Sequence, residues 1–174
     1  MTQTPHPAST LSEQERSDYL VAVAFIALGD RAGDPTARSQ LEAMGATLGI
    51  SEDAARRAVD AAVSSDRAHA SRVLANLRQS ELRVALLTDV IVLAFADAQV
   101  ATAEAASIAW LARQMNMTTA DVVLIGRYVE GVVQGHSEEP LAKKLAEKLA
   151  ALPGSVPHHS VVSGLLARLR KSHS

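Results

Sequence analysis

Asp97 and Glu104 stand seven residues apart in the stretch Ala96-Asp97-Ala98-Gln99-Val100-Ala101-Thr102-Ala103-Glu104, directly after a long apolar run. Carboxylates at the end of one helix and the start of the next can offer oxygens to a hard cation. Ca²⁺ takes about six to eight oxygen ligands, and Mg²⁺ asks for a near-octahedral set. Asp30 lies 67 residues before Asp97 at the end of another apolar run, and Asp34 and Gln99 offer further oxygens. The candidate metal ligands are Asp97, Glu104, Asp30 and Asp34, with turn carbonyls and water completing the shell around Ca, Mg, Mn or Zn. Each residue also has a plainer use. Asp34 precedes Pro35 and suits a helix N-cap, Glu104 suits the positive end of a helix dipole, and Asp30 and Asp97 suit solvated turns.

Other side chains that could do chemistry are few. Asp89 interrupts the apolar run Leu86-Leu87-Thr88-Asp89-Val90-Ile91. Burying a carboxylate is costly unless it is paired, so Asp89 is expected at a polar seam, beside an Arg or at the surface. His158 and His159 sit in a linker with no acidic or His neighbour to complete a metal site, and Trp110 reads as a core or interface residue. The chain has no cysteine, which removes disulfides, thiolate metal sites and Cys nucleophiles. It also lacks a Gly-rich phosphate loop, HExxH and GxSxG, so no enzymatic activity is expected.

The elements that must position these residues follow from an internal offset of 67, which superposes Leu20 on Leu87, Val23 on Val90, Ala27 on Ala94 and Asp30 on Asp97. Farther on it superposes Leu41 on Ile108, Leu48 on Met115, Gly49 on Asn116 and Ser51 on Thr118. Gly and Asn best tolerate the left-handed conformation at a helix C-terminus, and Ser and Thr are preferred N-caps. Leu-Gly-Ile-Ser and Met-Asn-Met-Thr therefore both read as helix end, apolar contact, helix start. The spacing predicts helices over about 13–28, 35–48 and 52–63, a short one near 68–77, then 81–96, 102–115 and 119–133. The fold class is all-α: a compact bundle of about seven helices with a duplicated helix, acidic turn, helix, helix unit. Its copies span about 13–63 and 80–133, followed by an extra helix over 139–152.

Composition agrees with such a bundle. Hydrophobic residues make up 48% of the 174 and aromatics only 3%, so the core must be built from Ala, Val, Leu and Ile. A net charge of -2 offers no field for nucleic acid. The longest wholly apolar stretch, Leu20 to Leu28, is far short of the ~20 residues that cross a bilayer, and no secretion signal opens the chain. A cytoplasmic protein with no transmembrane segment is expected.

The acidic turn and the helices around it resemble the TerB family, named for tellurite resistance, whose domain also occurs in a membrane-anchored DnaJ-type co-chaperone. The family's mark is Ala-Asp-Gly after an apolar helix, Glu seven residues beyond the Asp, and an apolar helix ending in Leu-Gly-Ile/Leu-Ser. The likeness covers roughly Tyr19 to Val133. It implies an all-α fold with two such units, acidic turns able to bind a divalent cation, and a stress-associated role. Asp97 and Glu104 match the mark, as does Asp30. Ala98 stands where the family has Gly, the first turn reads Gly29-Asp30-Arg31, and Ala37 stands where the first unit should supply Glu. A metal site on this pattern is lopsided, centred on Asp97 and Glu104.

Residues 1–11 read as a flexible N-terminus and 12–152 as the helical domain. A linker rich in Pro, Gly and Ser then leads to a tail within 153–174, where Val161, Val162, Leu165, Leu166 and Leu169 form a stripe at helical spacing beside Arg168, Arg170 and Lys171. Three functions fit. The first is a non-catalytic interaction or stress module with a protein partner, the second a metal sensor or buffer. The third is an adaptor whose tail contacts a scaffold protein or the surface of a membrane.

Overall fold

The computed structural model describes residues 6–29, 33–78, 82–96, 102–134 and 140–151, and the tail and most of the acidic turns lie outside them. Among the described residues there are eight α-helices and no strand: α1 Glu13–Leu28, α2 Pro35–Thr47, α3 Glu52–Ser64, α4 Arg67–Arg78, α5 Arg83–Ala96, α6 Thr102–Gln114, α7 Thr119–Val133 and α8 Pro140–Ala150. A single 3-10 turn, Pro7–Thr10, precedes them.

Local chemistry accounts for where these helices start. The Ser12 side chain accepts from Glu15 N–H, and the Glu15 carboxylate accepts from Ser12 N–H at 2.9 Å, a reciprocal cap on α1. These bonds, the one from the Ser12 hydroxyl foremost, hold the Glu15 carboxyl below its usual pKa. Thr118 and Asp121 build the same cap on α7. Asp34 and Ser51 cap α2 and α3, and Pro35 occupies the first position of α2, where a missing N–H is harmless.

Two helix ends are built alike. At the end of α2, Ile50 N–H bonds to Gly45 O and Gly49 N–H to Ala46 O. At the end of α6, Met117 N–H bonds to Ala112 O and Asn116 N–H to Arg113 O. Both are Schellman closures, and both place a residue in the left-handed region, Gly49 at φ 71° and Asn116 at φ 55°. The first end carries an extra clamp. Arg16, reaching over from α1, donates through Nη1 to Leu48 O at 3.1 Å and Gly49 O at 2.9 Å.

The two helices that are apolar nearly all round take the centre. α1 touches α2, α3, α4, α5 and α6, and α5 touches α1, α6 and α7. Tyr19, Leu20, Leu86, Leu87 and Met44 lie fully inside the core. α2 and α3 approach closely because Gly45 has no side chain: a Cβ there would lie 2.5 Å from the Ala55 Cβ. α8 packs on α7, with Leu149 buried. No helix among the described residues is long and apolar enough to cross a membrane.

One sequence expectation changes. Residues 6–11, read as part of a flexible arm, fold onto the bundle, where His6 and Ala8 are buried. Pro7 opens the 3-10 turn and the His6 ring caps it, so a stretch that looked merely polar and Pro-rich has a defined shape.

Candidate functional site

The acidic residues named from the sequence are not brought together by the described part of the molecule. Asp30 and Asp97 lie outside the described residues, as does the side chain of Glu104, although its backbone belongs to the first turn of α6. Asp34 is described and acts as an N-cap, its Oδ1 accepting from Thr36 N–H at 2.9 Å and Ala37 N–H at 3.4 Å. Among the described residues no three His, Asp or Glu side chains converge as a metal site. Val161, Val162, Leu165, Leu166, Leu169, Arg168 and Arg170 also fall outside the description.

A polar centre that sequence spacing did not reveal sits in the core. Asp89 of α5 is only 3% exposed, and its Oδ2 accepts from the Tyr19 hydroxyl of α1 at 2.6 Å and from His6 Nε2 at 2.9 Å. Ala8 N–H donates to His6 Nδ1 at 3.1 Å, which leaves Nε2 as the ring nitrogen that carries the proton toward Asp89. The His6 and Tyr19 rings meet edge to face at 5.7 Å. Asp89 therefore meets neither an Arg nor the surface. Its carboxylate is satisfied by two donors that come from 83 and 70 residues away in the chain. The one hint in the sequence was an acid inside an apolar helix, which had to find donors somewhere.

Three groups linked in this way could resemble catalytic machinery, but the arrangement is closed. His6 Nδ1 is engaged by backbone, Nε2 by Asp89, and the centre is buried without a neighbouring nucleophile in its hydrogen bonds. Its evident work is to bolt the N-terminal turn and α1 to α5. Burial, then the Asp89 charge and hydrogen bond, push the Tyr19 hydroxyl well above its ordinary pKa of 10.0. Tyr128, the other tyrosine, is also raised by burial, and its hydroxyl is buried without a hydrogen-bond partner among the described residues.

These two tyrosines make opposite predictions. Tyr19→Phe leaves Asp89 one donor short and is expected to cost about 2 kcal/mol in urea unfolding. Tyr128→Phe removes a hydroxyl with no partner among the described residues and is expected to be neutral or to gain up to about 1 kcal/mol. Alkaline titration gives a further check. Both folded pKa values are raised, so their contributions are complete below pH 10 and are lost as pH rises from there toward the folded values. Phenolate absorbance should stay flat through pH 10 and then rise together with loss of helical signal. A smooth rise centred at 10 in folded protein would contradict the burial of both rings.

An apolar groove of about 500 Å³ lies between α5, α6 and α7, and a more polar cleft of about 580 Å³ lies between α1, α3 and α4. Ile91 and Ala94 come from α5, Ile108 and Ala109 from α6, and Val122 from α7, with Met117 at the α6–α7 corner. Small side chains on α6 leave the space open: Ala105 and Ala109 stand at its surface. Trp110 lies on a different side of α6, against Phe25 at 6.1 Å and beneath the Arg67 guanidinium at 5.6 Å, so it packs between helices as expected. Such a groove can accept apolar side chains, and Arg113 and Thr119 are the polar residues of its lining. Compared with models of known families, with curated proteins and with solved structures, the chain finds no match in any of the three.

Proposed function

We propose that this chain is a non-catalytic, TerB-like helical interaction module, and that its docking face is the groove between α5, α6 and α7. The single observation that carries the reading is the groove itself, an apolar trough with three helical walls on a protein whose polar centre is sealed. A trough of this kind takes the apolar face of a helix. Among the described residues the one charged residue that lines the groove is Arg113. The partner that fits is therefore an amphipathic helix whose apolar face fills the trough and whose flank carries an acid beside Arg113. The stress-associated setting rests on the family resemblance alone.

A divalent cation has a place in this reading. α5 ends at Ala96 and α6 begins at Thr102, so the stretch with Asp97 and Glu104 joins two walls of the groove. A cation held there would fix the spacing of α5 and α6 and thereby tune docking. In calorimetric titration, Ca²⁺, Mg²⁺, Mn²⁺ or Zn²⁺ should bind the parent chain and fail to bind the Asp97→Ala/Glu104→Ala variant. Binding unchanged in that variant would sink the metal arm. Docking is tested with a fluorescent designed helix of Leu and Glu, whose capture should be abolished by Ala109→Glu. Capture untouched by that substitution would remove the groove from the reading.

A further inference from the structure

We infer that the cleft between α1, α3 and α4 binds a short zwitterionic peptide, its ammonium end toward Glu13 and Asp18 and its carboxylate end toward Arg57 and His69. The cleft shares no lining residue with the groove, so this site stands apart from the docking face. Its volume of about 580 Å³ falls in the range that houses small organic ligands and leaves room for more than one amino acid. It exists because α3 and α4 each pack on α1 without a broad contact between them. Its floor is apolar and built of small side chains: Val21 of α1 and Ala54 and Ala58 of α3 are buried there.

The lining is sorted by charge. Both acids, Glu13 and Asp18, belong to α1, whereas Arg57 belongs to α3 and His69 to α4. None of the four forms an ion pair among the described residues, so the acids of α1 and the nitrogens of α3 and α4 stand beyond reach of one another. Arg56 shows the contrast, since it pairs with Glu52 at 3.0 Å and Asp53 at 3.2 Å on its own helix, while the next residue, Arg57, keeps its guanidinium for the cleft. Asp18 Oδ1 accepts from Gln14 Nε2 at 3.0 Å, which orients the carboxylate and leaves Oδ2 to accept from a ligand. An acidic side and a basic side over an apolar floor match a molecule with a charge at each end and a small apolar body between them. A lone amine or a lone anion would engage only one side. A metal ion suits the cleft less well, because among the described residues no three His, Asp or Glu side chains converge.

Trialanine carries both charges on a small apolar body and serves as the probe. In a titration of the full chain followed by amide NMR shifts, trialanine is expected to saturate the protein, with the largest shifts on α1, α3 and α4. N-acetyl-trialanine and trialanine amide, each short of one charge, should bind at least tenfold more weakly. Glu13→Gln/Asp18→Asn should erase the difference between trialanine and its N-acetyl form, and Arg57→Gln/His69→Gln the difference between trialanine and its amide. Glu13, Arg57 and His69 are exposed and Asp18 is half-buried, so both variants are expected to fold, and Asn at 18 keeps the oxygen that Gln14 bonds.

No saturation by about 10 mM, where a millimolar site is largely filled, overturns the inference. Equal binding of trialanine and its two capped forms overturns it too, since charge at the ends would then play no part. Ala109→Glu, which obstructs the groove, should leave trialanine binding unchanged. Binding lost in Ala109→Glu, or shifts confined to α5, α6 and α7, would place the peptide in the groove and remove the cleft from the inference.

Discussion

Replacing Asp89 with Ala is expected to cost about 4 kcal/mol, enough to bring a domain of ordinary stability close to unfolding. The carboxylate is the shared acceptor of two buried donors, the Tyr19 hydroxyl and His6 Nε2. Its removal strands both, and each stranded group loses its partner without regaining water. The N-terminal turn should also come loose, since His6 both caps that turn and contacts Asp89. Urea unfolding of Asp89→Ala, together with Tyr19→Phe and the double variant, reads the coupling directly. The double variant should be less destabilised than the sum of the single changes, because Tyr19→Phe removes one of the donors that Asp89→Ala strands. Strict additivity would mean that the bond between the two does not contribute to stability.

The second large effect is at Gly45. Its Cβ would lie 2.5 Å from the Ala55 Cβ and 3.5 Å from Leu20 Cδ2, so two helices and a core side chain press on one point. Gly45→Val is expected to cost about 3 kcal/mol, since a close-packed interface yields only by moving backbone. Gly45→Ala gains helix propensity but meets the same Ala55 methyl. Transferring the methyl, as Gly45→Ala with Ala55→Gly, should bring stability back to within about 1 kcal/mol of the parent. Thermal melts of the three variants decide it. Full stability of Gly45→Val would show that α2 and α3 are not in close contact here.

These two sites also show what was legible in the chain and what was not. Helix limits were readable because they are set by neighbours in sequence: Asp34 before Pro35, Ser51 before acids, Gly49 and Asn116 in the left-handed region. The central place of α1 and α5 followed from their apolar surfaces, and α4, expected as a short helix near 68–77, forms over Arg67–Arg78. The His6, Tyr19 and Asp89 centre was hidden because its members are 70 and 83 residues apart and share no local pattern. His6 in particular looked like part of a loose Pro-rich arm. The groove was hidden for another reason, since it is space left by Ala105 and Ala109 rather than a motif. The metal site expected at Asp30, Asp97 and Glu104 falls outside the described side chains, while Asp34 takes the capping role that its place before Pro35 suggested.

The Arg16 clamp bears on how freely the first turn can change. α2 is pinned at its far end by Arg16 and begun by its own Asp34 cap, two anchors that lie within the described residues. Between two fixed anchors, lengthening a loop costs about 0.6 kcal/mol of closure entropy for each doubling of its length. Insertions between Gly29 and Gly33 are therefore expected to lower the melting temperature only slightly, and a large drop in thermal melts would contradict this. Arg31 and Ala37 stand 67 residues before Ala98 and Glu104, and these are differences that a chain so anchored could accumulate.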